Sequence, residues 1–153
     1  MRVSKKRGRD LLGKVWLFER CSNRELDLLQ EAATEMEFPA GKELTTQGET
    51  GRHFMVIVEG EAEVSRDGTQ IALLGPGSFF GEMSLLDGQP RTATVTTREP
   101  TRVLMITTAA FNGALATMPS VDRKMLTVLA ARLRDIEARY VPANERRTNA
   151  DLA

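Results

Sequence analysis

The sequence is poor in several residue types that particular functions require. Its 153 residues include one cysteine, one histidine, one tryptophan and one tyrosine. The single cysteine, Cys21, excludes an internal disulfide, and one histidine, His53, is too few for a histidine-rich metal centre. We therefore expect a non-catalytic protein without metal or cofactor, a structural or surface role for His53, and an ordinary buried or half-buried thiol at Cys21.

The chain also lacks a net charge and a long apolar run. Lysine plus arginine number 21 and aspartate plus glutamate number 21, so no global field favours nucleic acid or an anionic membrane. No apolar run approaches the ~20 residues that span a bilayer. The single cysteine and the missing apolar run predict a cytoplasmic protein with no membrane span. The balanced charge predicts that any ligand or partner is recognised by a local group of residues.

The length favours one domain, which we place at residues 11–141. The basic stretch RVSKKRGR falls within residues 1–10, and we predict a disordered tail there. A contact with nucleic acid, lipid or an acidic partner is the alternative. Residues 142–153 carry almost no large apolar side chain, which predicts a second disordered tail.

Helical periodicity appears on both sides of the middle of the chain. Ser22 and Glu25 form a capping-box pattern before an apolar repeat, which predicts a helix over about 23–34. A short helical turn precedes it. After Thr107 the spacing predicts a helix ending near Pro119 and a longer one over about 120–140.

Between these helices the pattern is typical of an antiparallel sandwich. Short runs rich in β-branched residues alternate with turn residues, and Asp67-Gly68 is the strongest hairpin signal. The predicted strands are 37–38, 42–46, 53–59, 61–66, 69–74, 92–97 and 101–107. Alternation, as in Ala62/Val64 and Ile71/Leu73, predicts one face of each strand in a core. The expected fold is mainly β, an antiparallel jelly-roll sandwich or barrel with flanking helices.

Residues 75–95 form a connection too long and too glycine-rich for an ordinary sandwich turn. A helical turn over 82–86 would present unpaired N–H groups to an anion. Arg91 can bind a phosphate through two hydrogen bonds, and Thr92 adds a hydroxyl beside it. Gly81 permits a close approach of the backbone to a ligand. Chemistry alone leaves open a solvated arginine and a glutamate, Glu82, that merely caps the turn.

The segment FGEMSLLDGQPRTATV, residues 80–95, resembles the phosphate-binding cassette of cyclic-nucleotide-binding domains. Such domains occur in catabolite activator proteins, kinase regulatory subunits and cyclic-nucleotide-gated channels. Phe38-x-x-Gly41, Gly48 and Val58-Glu59-Gly60 are also similar to the family. The resemblance covers about residues 12–141 and implies a short helix inside the cassette and two helices after the sandwich.

The resemblance also implies a function for individual residues. Glu82 would accept from the ribose 2′-hydroxyl, Arg91 would neutralise the cyclic phosphate, and Thr92 would touch the phosphate or a purine. Ile136 would sit over or beside the base, where catabolite activators have polar residues. The implied ligand-binding set is Gly81, Glu82, Met83, Ser84, Arg91, Thr92, Ala93 and Ile136.

The expected function is a cyclic-nucleotide receptor that signals by repositioning its C-terminal helix, with cAMP favoured and cGMP as the alternative. A second alternative is a dimerisation or scaffold module of the same fold that binds no nucleotide. The apolar stripe of helix 120–140 permits a homodimer. The dozen residues after Val141 are too few for a helix-turn-helix module, so we expect an effector protein elsewhere or an effector domain outside this chain.

Overall fold

The computed structural model of the protein describes residues 3–140, except for the side chain of Tyr140. The helices are α1 (Lys5–Gly13), α2 (Asn23–Ala32), α3 (Ser84–Asp87), α4 (Thr108–Leu115) and α5 (Val121–Tyr140), with a 3₁₀ turn at Trp16–Phe18. The strands are β1 (Thr34–Phe38), β2 (Glu43–Thr45), β3 (His53–Glu59), β4 (Ala62–Arg66), β5 (Thr69–Leu74), β6 (Phe79–Phe80), β7 (Thr94–Thr97) and β8 (Thr101–Thr107).

The strands form two four-stranded antiparallel sheets, in the orders β1-β8-β3-β6 and β2-β7-β4-β5. The predicted sandwich with flanking helices is therefore confirmed. The Asp67-Gly68 hairpin is confirmed as well, because both residues have positive φ and Arg66 pairs with Thr69 across the turn. The two-residue strand β6 was missed, since two residues are too few for an alternation pattern.

Strand β3 supplies side chains to two hydrophobic clusters on its opposite faces. Phe54 and Val56 join the cluster under the helices, whereas Met55 and Ile57 join the cluster between the sheets. All four are at most 3% exposed. A strand with both faces buried reads as a continuous apolar run, as FMVIV does here.

The N-terminal segment is a helix, so the prediction of a disordered tail over residues 1–10 is wrong from Lys5 onward. Ser4 caps α1 by accepting from the N–H of Arg7 at 3.2 Å. Gly8, Leu11 and Leu12 share a buried face at helical spacing. Residues 1–2 and the predicted tail 142–153 lie outside the described residues.

Two basic side chains of α1 are also paired with α2. Lys5 lies 3.5 Å from Glu31, and Arg9 lies 3.6 Å from Asp27. The basic run therefore forms an amphipathic helix, and two of its positive charges are paired with carboxylates of α2. The ordered fold thus begins before residue 11.

Strand β5 departs from the predicted inward face. Ile71 and Leu73 are 50% and 48% exposed, because β5 is the edge strand of its sheet. The ladder also skips Ile71, since Val64 pairs with Ala72 and the next residue of β4 pairs with Gln70. Alternation identifies residues that share a face, but it does not show that another layer covers that face.

The helices near both ends agree with the sequence pattern. The capping box of Ser22 and Glu25 begins α2, and both of its hydrogen bonds are present. Glu25 also accepts from Lys124 of α5 at 2.5 Å, which ties the two helices together. Among the described residues, no helix has the length and hydropathy needed to cross a bilayer.

Candidate functional site

The connection between β5 and β7 is shaped by a short strand, a glycine turn and one turn of helix. Phe79 and Phe80 pair with β3, and Gly81 then adopts φ +83°. The carbonyl of Gly81 accepts from the N–H of Ser84 at 3.0 Å. Helix α3 therefore begins at Ser84, two residues later than predicted. The N–H groups of Glu82 and Met83 therefore lie at the start of this turn, ahead of its first hydrogen bond.

Two residues of α3 anchor the turn to the domain. Leu85 is 4% exposed and belongs to the cluster under the helices. Ser84 is buried, with its hydroxyl close to Gly51. The helix ends at Gly88, which has φ +60° in the left-handed region. The connection is thus held at a buried point rather than lying loose on the surface.

The backbone of Arg91 is fixed by the loop before β3. Its N–H donates to the carbonyl of Glu49 at 2.8 Å, and its carbonyl accepts from the N–H of Gly48 at 2.9 Å. Its guanidinium donates to the main-chain carbonyl of His53. The half-buried His53 thus contributes a carbonyl oxygen to the site.

Two glycines make room for the Arg91 guanidinium. A Cβ added at Gly51 would lie 2.7 Å from the central guanidinium carbon, and one added at Gly81 would lie 2.5 Å from the carbonyl oxygen of His53. Neither separation is tolerated without movement of the neighbour. Gly81 was predicted from the cassette pattern. Gly51 was missed, because its approach to Arg91 is visible only after folding.

The two charged groups of the cassette are partly withdrawn from water. Burial raises the pKa of the Glu82 carboxyl, and the group's own backbone N–H, Arg132 and Arg91 oppose that rise. Burial lowers the pKa of Arg91, and Glu82 opposes that shift. Among the described residues, neither Glu82 nor Arg91 has an ion-pair partner within 4 Å. Each can therefore exchange its hydration for a bound ligand.

These groups line one cavity of about 510 Å³, a volume suited to a small-molecule ligand. Seven of the eight predicted ligand-binding residues line it, namely Gly81, Glu82, Met83, Ser84, Arg91, Thr92 and Ala93. The sequence analysis missed the part of the wall that comes from the sheets, including Thr45, Val64, Arg66, Leu74, Phe79 and Val95. Alternation in β4 was the available signal for Val64.

Ile136 does not line this cavity. It lies in the C-terminal half of α5, residues 131–140, which we call the outer half, and it is 47% exposed. From the same helix, Arg132 is close enough to influence the pKa of Glu82. The base contact predicted for Ile136 therefore stays a prediction.

A guanidinium that lacks a carboxylate partner can accept an anion, and a carboxylate across the same cavity can accept from hydroxyl groups. The two-sheet fold and this cassette define a class of ligand-binding regulatory domain. The model of the cyclic nucleotide-binding domain family matches residues 35–118, more than half of the chain. The chain belongs to this family.

Similar proteins include two curated bacterial regulators. The "CRP-like cAMP-activated global transcriptional regulator" of Mycobacterium tuberculosis is 28% identical over an alignment of 130 residues, which covers 82% of this chain and 58% of that protein. The "Cyclic AMP receptor protein" of Thermus thermophilus is 32% identical over an alignment of 126 residues, which covers 79% of this chain and 58% of that protein. The chain thus spans less than two thirds of the length of these relatives.

A solved structure of similar extent is the N-terminal domain of a transcriptional regulator from Streptomyces coelicolor A3(2). It superposes with a TM-score of 0.78 at 29% identity and covers 84% of this chain and 96% of that domain. The fold predicted from the sequence is thus the fold of this family.

Proposed function

We propose that this domain is a non-catalytic receptor for a cyclic nucleotide. The observation that carries the proposal is the Arg91 guanidinium at the cavity wall, which is held by a main-chain carbonyl and has no carboxylate within 4 Å among the described residues. Removing an anion from water is costly unless a cation and hydrogen bonds replace its hydration. Arg91 supplies that cation.

In this proposal each cassette residue binds one part of the ligand. Arg91 pairs with the cyclic phosphate, and the N–H groups near Gly81, Glu82 and Ala93 complete its surroundings. Glu82 accepts a hydrogen bond from the ribose 2′-hydroxyl. Thr92 touches the phosphate or the purine. Met83 and Ser84 line the same end of the cavity.

The favoured ligand is cAMP. Two similar bacterial proteins are named for cAMP, and the alignment with each covers about four fifths of this chain. The alternative, cGMP, is supported by Thr92, which lines the cavity and whose hydroxyl would reach the amino group of a purine in the syn orientation. Direct comparison of the two nucleotides decides between them.

The proposed output is a change in the position of α5. Its outer residues Leu133 and Ile136 are 65% and 47% exposed, so this half of the helix can move at little cost in buried surface. Ile136 would then cap the base. The same apolar stripe suits a homodimer, with an effector protein as the partner that reads the change. A cytoplasmic setting is part of the same proposal.

Calorimetric titration with cAMP and cGMP tests the proposal on three forms of the protein: wild type, Arg91→Leu and Arg98→Leu. Arg91→Leu is expected to weaken binding at least about 100-fold, because breaking a buried charge pair costs about 3–5 kcal/mol. Arg98 is the matched control, since it is about half exposed and its ion pair with Glu61 is long at 3.9 Å.

Arg98→Leu should keep the wild-type affinity. Equal affinity in Arg91→Leu and wild type would contradict the assignment of Arg91. If wild type binds neither nucleotide, the receptor function is wrong and the scaffold alternative replaces it. Thermal unfolding of each variant shows whether a loss of binding reflects a loss of folding.

A further inference from the structure

Helix α5 is attached to the domain along only part of its length. Met125 and Val128 of its first half are each 4% exposed. From Ala130 onward the described side chains of α5 are exposed, including Leu133 and Ile136. Arg132 therefore lies just beyond the point where the helix leaves the body of the protein.

At this position Arg132 contacts the 3₁₀ turn before α2. Its guanidinium carbon lies 4.4 Å from the centroid of the Trp16 ring. Trp16 is half-buried and packs against the cluster under the helices. A cation–π contact at an exposed site contributes little to stability. The contact is specific in geometry but weak enough to be reversed by a ligand.

Arg132 also lies within electrostatic range of Glu82 in the candidate site. It opposes the effect of burial on the pKa of Glu82, and Arg91 is the other cation that does so. Arg132 and Glu82 form no ion pair within 4 Å among the described residues. Arg132 thus contacts the Trp16 ring and acts on the Glu82 carboxylate only through its charge.

Binding of an anion changes this balance. If Arg91 pairs with a phosphate, its charge is matched by the ligand, and Arg132 becomes the remaining cation that acts on Glu82. We propose that Trp16 is a positioning residue for Arg132, and that nucleotide binding draws Arg132 off the Trp16 ring towards Glu82, which shifts the outer half of α5. This inference rests on the proposed function.

The protein carries a built-in probe for the test, because Trp16 is the one tryptophan of the chain. Its fluorescence is recorded while cAMP is added to the full-length chain, with calorimetry on the same sample. We expect the emission to change and to saturate at the same nucleotide concentration as the calorimetric signal. In Arg132→Gln the change should be lost, whereas binding heat should remain.

Arg134→Gln is the matched control, since Arg134 is an exposed arginine of the same helix two residues away. It should keep the full emission change. Constant emission at a saturating nucleotide concentration, or a full change in Arg132→Gln, would overturn the proposal. Both outcomes leave the binding heat intact and so differ from a failure of the proposed function.

A second measurement needs no nucleotide. Glu82→Gln removes the charge that competes with the Trp16 ring for Arg132, so we expect its emission to differ from wild type in the direction opposite to that caused by nucleotide. If wild type shows no binding heat, the emission of Glu82→Gln should still differ from that of Glu82→Gln combined with Arg132→Gln. Identical emission of these two proteins would overturn the positioning role.

Discussion

Arg91 and Arg102 are both held on the sandwich, but Arg102 contacts carboxylates whereas Arg91 contacts a main-chain carbonyl. Arg102 lies on β8 directly across from Glu37 of β1 and Glu59 of β3. It forms ion pairs with both, and a third with Glu35 at 3.4 Å. Cross-strand pairs of opposite charge stabilise a sheet. The charge of Arg102 is matched within the protein, so this arginine joins strands.

Arg91 meets a main-chain carbonyl instead of carboxylates. A carbonyl fixes the guanidinium without neutralising its charge, so the charge stays available for an anion. The difference between the two arginines separates a structural cation from a binding cation. Each prediction below tests one part of that difference.

The largest effect is expected when the space around Arg91 is filled. In Gly81→Ala the added Cβ would meet the carbonyl of His53 at 2.5 Å and the guanidinium carbon of Arg91 at 3.1 Å. Displacement of the guanidinium should weaken cAMP binding at least about 100-fold in calorimetry, as loss of the charge pair itself would.

Gly77→Ala is the control for backbone strain. Gly77 has φ +88°, similar to Gly81, but an added Cβ has open space there. Both variants should lose stability because alanine disfavours positive φ. An equal loss of binding in the two variants would mean that strain, rather than contact with Arg91, causes the effect.

A smaller effect is expected from the carboxylate across the cavity. Glu82→Ala should weaken cAMP binding by about 1.5–3 kcal/mol, the range of a hydrogen bond to a charged group. Glu37→Ala, which removes a carboxylate from the surroundings of Arg102, should leave the affinity unchanged. Calorimetry on both variants gives the comparison, and equal losses would remove Glu82 from the site.

The third effect concerns stability alone. Arg102→Gln leaves three glutamates without their shared cation, so its melting temperature should fall by several degrees while cAMP affinity is retained. Added salt should narrow the difference from wild type, because it screens the exposed carboxylates. Reduced affinity with an unchanged melting temperature would reverse the roles of the two arginines.

The smallest effect is the pH dependence of stability, which should have opposite signs at Glu37 and Glu82. Hydrogen bonding to Arg102 lowers the pKa of Glu37, whereas burial raises the pKa of Glu82. Glu37 therefore stabilises the fold above the unfolded-state pKa of ~4.3, and this contribution disappears as the pH falls through the folded-state pKa.

Glu82 has the reverse effect, because its ionised form is disfavoured in the fold. Its cost is present at neutral pH and disappears as the pH falls through its folded-state pKa towards ~4.3. Urea unfolding at pH 7 should find Glu37→Gln less stable and Glu82→Gln more stable than wild type. Both differences should vanish in acid, and the same sign for both would contradict the assigned environments.

The sequence predicted those parts of the molecule that depend on local pattern. The strands at 53–59, 69–74 and 101–107 are confirmed at both ends, because turn residues bound them. Seven cassette residues line one cavity as a group, since they form two short runs, 81–84 and 91–93, within a single connection between strands. Their roles as ligand contacts stay predictions.

The parts that were missed depend on distant segments. The approach of Gly51 to Arg91 joins residues forty positions apart, and no local period encodes it. The exposure of Ile71 and Leu73 depends on the place of β5 at a sheet edge. The helix within the basic N-terminal segment was missed because a run of positive charge is typical of a tail, and only Gly8, Leu11 and Leu12 carry the helical spacing.

The Arg91 guanidinium is held by the main-chain carbonyl of His53, not by the imidazole, and this affects which mutations position 53 tolerates. A peptide oxygen is present whichever residue occupies position 53, and it does not titrate near neutral pH. The imidazole of His53 is therefore dispensable for orienting the guanidinium. Substitutions at position 53 that keep the course of the strand should be neutral for this contact, although the residue lies in direct contact with Arg91.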